Sequence, residues 1–278
     1  MKKLLALGIG LAFASLCAAQ RVEINGQTIH QFPDKAHVGT LAGSTSNLSY
    51  HGGPVIHQAK VVSIFWSAQW GANGSPGSLA SSIMSFFGQF GTNAEYNVIT
   101  QYSDGSGKIQ QNNLTNQYWI DSNYPGSTKV TDAMVQAEVQ NYFNHGGVID
   151  TSTIYEVFIP NGYYSNDGSG SSCGGRHLQY CAYHSNFTYN GQNIKYASMP
   201  YPSCSGCQWT GWSTAQNYDH FACHETREAV TDEDGNAWYD SSGYEADDKC
   251  AWTNLFIANG YGYQPEWSNS AGGCVDSQ

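Results

Sequence analysis

The run HETREAVTDEDGNAWYDSSGYEADDKC, residues 224 to 250, gathers side chains that can grip a cation. On an α-helix residues four apart share a face, so His224 and Glu228 project together and His220 lies one turn earlier. Glu225 adjoins His224. This is the spacing of the His-Glu-x-x-His zinc helix, in which two ligands hold the ion and the neighbouring Glu works on a water molecule. Here Glu228 stands where the second His would be. His224 and Glu228 are therefore expected as metal ligands, Glu225 as the general base and, after a return loop anchored by Cys250, Glu245 as the third ligand. Asp248 is the alternative third ligand, or a partner that orients the first set. Two carboxylates neutralise a dication and leave less charge to acidify water, and oxygen-rich sets also admit calcium, magnesium or manganese. Zinc is the expected ion, with calcium as the alternative.

The opposing reading makes Glu225, Arg227 and Glu228 the solvated face of an ordinary helix. Against it stand Phe221, Ala222, Ala229 and Val230, which call for burial of the same segment. Asp232-x-Asp234-x-Asn236 begins like a calcium loop but lacks the placed glycine and the closing Glu, so a turn is expected. His184, in CAYHS, is a further candidate that reaches the ion from a neighbouring strand. His220, Tyr239 and Tyr244 are either donors to an oxyanion or packing residues. The GSGSSCGG run carries Ser and Cys without the strand-turn-helix context of a nucleophile elbow. No motif for an organic cofactor is read.

These residues need elements to position them. Val61–Trp66 reads as a buried strand, and Ser78 to Phe90 carries Leu79, Ile83, Phe86, Phe87 and Phe90 at helical spacing. Val98–Tyr102 and Tyr118–Ile120 read as strands. Thr131-Asp132 caps a helix running to about His145 with Val135, Val139, Tyr142 and Phe143 as its stripe. Thr153 to Ile159 is the clearest strand. Residues 162–175 form a long polar loop, a lid or rim. Tyr180–His184 and Ile194–Met199 are two strands around an Asn190-Gly191 turn, and the helix bearing the acids spans about Thr214 to Val230. The fold expected is α+β (mixed α/β): a single domain with a central mixed sheet flanked by helices, over residues 48–278. Residues 20–47 show no apolar periodicity and read as an extended N-terminal arm, with order beginning near Leu48.

The first 19 residues read as a signal peptide: a basic start, an apolar run and small residues at Cys17-Ala18-Ala19. Its removal leaves nine basic residues against 22 acidic ones, a formal charge of −13. Such an exterior repels nucleic acid and anionic membrane, and no stretch is long enough to span a bilayer. Seven cysteines remain, which in an exported chain means disulfides with one thiol left over. Cys223, beside His224 in a helix, is the expected free thiol. Cys204 and Cys207 are expected in structural bridges.

The chain resembles the exordium / phosphate-induced protein 1 family, in its microbial metalloprotease-like branch. The resemblance lies in LSYHGGPV (Leu48 to Val55), VVSIFW, CAYHS, PSCSGCQW, the 224–250 run, DKCAW and PEWSNSAGGCV, across about the last four-fifths of the chain. It implies a secreted protein, extracellular or periplasmic, with a zinc-peptidase-like site on a zincin-like helix. The function expected is a metal-dependent hydrolase acting on a peptide or protein substrate. The alternative is a non-enzymatic extracellular or cell-wall-associated binding protein, its metal or acid cluster bracing the fold. Trp209, Trp212, Trp238 and Trp267 would then be available to stack on wall glycan.

Overall fold

The computed structural model describes residues 21–24, 26–38, 45–114 and 116–278. The expected signal peptide lies outside them. One mixed seven-stranded sheet forms the centre. Its strands in chain order are β1 (Arg21–Ile24), β2 (Gln27–Pro33), β3 (Lys60–Trp66), β4 (Asn116–Asp121), β5 (Thr153–Phe158), β6 (Tyr180–Tyr189) and β7 (Gln192–Met199). Across the sheet the order is β1-β2-β6-β7-β5-β3-β4. The β1, β2, β6 and β7 neighbours run antiparallel, whereas β7, β5, β3 and β4 run parallel.

Among the described residues there are four α-helices: α1 (Ser78–Phe90), α2 (Ala94–Asn97), α3 (Asp132–Asn144) and α4 (Thr214–Thr231). The two long parallel crossovers place apolar helix faces on opposite sides of the sheet. On one side α1 and α4 pack with Phe32, Val61, Phe65, Ile154, Phe158 and Ala182; on the other α3 packs with Ile29, Val62, Ile64, Tyr155, Val157 and Tyr196. The fold is thus α+β around a mixed sheet, as the residue patterns imply. Thr131 caps α3 through its hydroxyl, and a reciprocal Ser213–Gln216 capping box starts α4.

Three expectations meet a different structure. Arg21–Ile24 and Gln27–Pro33 are extended but not an outlying arm: they form β1 and β2, two strands of the central sheet. Ile29 enters one core and Phe32 the other, so a strand buried on both faces shows no alternation in its letters. Val98–Gln101 is a 3-10 turn following α2, with the adjacent Val98 and Ile99 both buried. Residues 162–175 are not a plain loop: Tyr164–Asn166 pairs with Lys129–Thr131 as a strand, and Cys173 is bridged to Cys204.

The other bridges are Cys181–Cys207 and Cys250–Cys274, and the remaining described cysteine, Cys223, is a buried free thiol. Three disulfides fit an oxidising, extracellular environment. No helix among the described residues is long and apolar enough to cross a membrane.

Candidate metal centre

Strand register builds the floor of the site. His30 on β2 lies opposite His184 on β6, His184 opposite Ala197, Ala197 opposite Glu156 on β5, and Glu156 opposite Ser63. Since cross-strand partners share a face, this polar row lies under α4, on the side where Phe32, Ala182 and Ala197 join the core. The two imidazoles stack with centroids 4.8 Å apart. Thr226 of α4 donates its hydroxyl to Glu156 at 2.7 Å.

The helix supplies the roof. Every residue from Asn217 to Thr231 is buried, which excludes a solvated face. His224 Nε2 lies 3.2 Å from Glu228 Oε2 and 3.8 Å from Asp248 Oδ1. Glu225 Oε2 shares a 2.9 Å hydrogen bond with His184 Nδ1, which also lies 3.8 Å from Glu228 Oε2. Glu245 directly contacts His30 Nδ1 and places Oε2 3.9 Å from His184 Nε2. The ligand atoms thus converge as three adjoining sets: His224, Glu228 and Asp248; His184, Glu225 and Glu228; and His30, His184 and Glu245. None of these seven residues is more than 6 % exposed.

Of the residues expected at the site, His224, Glu228, Glu225, Glu245 and Asp248 are all there. Asp248, not Glu245, stands beside His224 and Glu228; Glu245 joins the two strand histidines. His184 is part of the site, and His30 is a member that the letters alone do not reveal. His220 accompanies it without joining a ligand set: its ring packs against Phe32 and Trp252 and its Nε2 pairs with Gln264 at 2.8 Å. Tyr239 stacks on His51, and Tyr244 belongs to the core. The 232–237 segment is a turn closed by the Asp232 carboxylate, which accepts from the Ala237 N–H.

A second layer sets the orientation. Gln264 donates its amide to Asp247 O and Oδ1 at 2.9 and 2.8 Å, so its carbonyl oxygen faces His220 and, at 3.4 Å, His224 Nδ1. With Nδ1–H committed to that oxygen, His224 Nε2 keeps its lone pair for the cluster. Arg227 bridges Asp247 and Glu266, clamping α4 onto the 245–250 segment and the strand at Glu266–Ser268. Gly235 (φ +70°) comes so close that a Cβ there would sit 3.0 Å from His30 Nε2.

Burial governs the electrostatics. It pushes the pKa of Glu225, Glu228, Glu245 and Asp248 well above the carboxylate range; neighbouring acids push Glu225, Glu228 and Asp248 further, whereas at Glu245 the Arg21 charge opposes the shift. It lowers His30, and drives His184 and His224 well below the usual imidazole range. The imidazoles are thereby held in the neutral form a cation requires, and the carboxyls would release their protons as an ion enters. His184 Nε2, His224 Nε2, Glu225 Oε1, Glu245 Oε1 and Asp248 Oδ1 are buried without a hydrogen-bond partner. Orphaned buried polar atoms are rare and costly in folded proteins, and two of these, His224 Nε2 and Asp248 Oδ1, lie 3.8 Å apart. Ligand bonds of 2.0–2.2 Å in a tetrahedron imply ligand–ligand edges of roughly 3.3–3.6 Å. The 3.2 and 3.8 Å separations around His224 bracket that range, so these residues fit a divalent ion. Cys173, Cys204 and Cys207 also lie together, but each is in a disulfide and offers neither a thiolate ligand nor a nucleophile.

No family model, curated protein or solved structure matches the chain.

Proposed function

We propose that the protein is an exported metal-dependent hydrolase of peptide bonds, with zinc held by His224, Glu228 and Asp248 and with Glu225 as general base. One observation carries this reading: a single helical turn and the segment returning after it aim His224 Nε2 and Asp248 Oδ1, both orphaned, at the same space beside Glu228. What a zinc ion supplies when bound is Lewis acidity toward water and a scissile carbonyl. Glu225 is suited to the base role by position: it adjoins His224 on α4, and its Oε2 is held by His184 Nδ1 beside Glu228. His184, through its 2.9 Å bond, orients that carboxylate. The resemblance to the microbial metalloprotease-like branch of the exordium / phosphate-induced protein 1 family runs in the same direction, and three disulfides suit a secreted or periplasmic protein.

A second reading draws on the burial. With every ligand at most 6 % exposed, a peptide reaches the ion only if the covering segments part. A closed site of this kind suits a structural ion in a cell-surface or wall-binding protein. The experiment that separates the two is elemental analysis of the purified protein, followed by assay on an unfolded protein substrate with and without chelator. Glu225→Gln is expected to retain the metal and to lose roughly 10²–10⁴-fold in turnover. Turnover that survives the substitution removes Glu225 as base. Loss of cooperative folding on chelation, with no turnover in any state, selects the structural reading.

A further inference from the structure

We propose that His30, His184 and Glu245 form a second divalent-cation site, separate from the His224–Glu228–Asp248 set, so that the cluster holds two ions. Antiparallel register places His30 and His184 side by side on one face of the sheet, and their rings stack at 4.8 Å. Glu245 arrives from the segment beyond α4 and reaches both, touching His30 Nδ1 and standing 3.9 Å from His184 Nε2. Three elements far apart in the chain thus deliver one ligand atom each to one buried point.

The independent observation is the state of His184 Nε2 and of the second Glu245 oxygen. His184 Nε2 and Glu245 Oε1 are buried and have no hydrogen-bond partner, on side chains 3 % and 1 % exposed as residues. His184 presents its opposite nitrogen, Nδ1, to Glu225 and Glu228. One imidazole therefore stands between the two ligand sets, which adjoin through Glu228 Oε2. Two imidazoles and one carboxylate balance one charge of a dication and select a borderline transition metal of the zinc type over calcium or magnesium. The site does not depend on the hydrolase reading, because its three ligands are not those assigned there.

The test is zinc stoichiometry, measured by elemental analysis after loading with zinc alone and desalting. Two ions per chain are expected for the wild type, one for His30→Gln and one for Asp248→Asn. Near-UV circular dichroism checks that each variant keeps its tertiary packing. If His30→Gln fails to fold, a wild-type count of two supports the second site, and for a count of one Asp248→Asn shows which set holds the ion. A single ion in the wild type, retained by His30→Gln and lost by Asp248→Asn, overturns the second site and leaves the hydrolase centre standing. A single ion lost by His30→Gln and retained by Asp248→Asn supports the strand site and overturns the helix one. A wild type that holds no zinc overturns both.

Discussion

Gln264 shows how one uncharged side chain sets the chemistry of its neighbours. Its carbonyl oxygen faces His224 Nδ1 at 3.4 Å and His220 Nε2 at 2.8 Å, while its amide is held by Asp247. Replacing it with Leu frees the His224 ring to take the other tautomer, which would turn an N–H toward Glu228. Loss of an orienting partner of this type lowers metal affinity about 10–100-fold. Competition titration of Gln264→Leu against a zinc indicator is expected to fall in that range, and unchanged affinity would remove Gln264 from the site. Neither residue 264 nor His30 announces itself in the sequence, since a lone Gln or His in a strand-like stretch has no spacing to a partner. The His224–Glu228 pair does, because the helix repeat is local.

Between elements, the clamp is Arg227. Its guanidinium, wholly buried, pairs with Asp247 and lies 2.7 Å from Glu266. Truncating one member of a buried ion pair leaves uncompensated charge and costs about 3–5 kcal/mol. Arg227→Ala is expected to lose that much in urea denaturation, whereas Arg227 as a surface residue would cost almost nothing. The second tether is Cys250–Cys274, which closes a 24-residue separation just beyond Glu245 and Asp248. Loop-closure entropy assigns it about 3 kcal/mol. The double change Cys250→Ser, Cys274→Ser is expected to lower stability by that order and to weaken zinc binding by loosening the return segment. A destabilised protein with unaltered zinc affinity would show that the segment is held by Arg227 alone.

At the scale of the molecule, the interior carries an excess of acid. Besides the cluster, burial pushes Glu138, Glu156 and Asp219 up to about 8. Glu138 of α3 is the cleanest to isolate, as it lies on the far side of the sheet; after burial, the charge of Asp121 is the next cause of its shift. Its carboxyl titrates near 4.5 when unfolded and near 8 when folded, so the folded state binds more protons between those values. Its contribution is therefore complete below about pH 4.5 and is lost as pH rises through about 8. Glu138→Gln is expected to flatten the fall in stability from pH 5 to pH 8, measured by urea denaturation; parallel curves for variant and wild type would contradict it. Chelation acts on the whole fold as well. An ion at a thousand times its dissociation constant contributes about 4 kcal/mol, so its removal is expected to lower the melting temperature by roughly 10 °C. A melting curve unmoved by chelator would mean that no cation is held.

What the sequence determined by itself was whatever depends on near neighbours along the chain. The 3.6-residue repeat put His224 and Glu228 on one face and marked α1, α3 and α4, and the helical setting of Cys223 singled it out as the free thiol. Tertiary structure alone decided which residues complete the cluster. His30 meets His184 only through the register of two strands more than a hundred residues apart. The strand carrying His30 is buried on both faces and so leaves no period to read. The choice between Asp248 and Glu245 beside His224 rested on the path of a return loop fixed by Arg227 and a disulfide. Contacts of that kind are set by packing and loop closure across the whole domain, and no local run of letters encodes them.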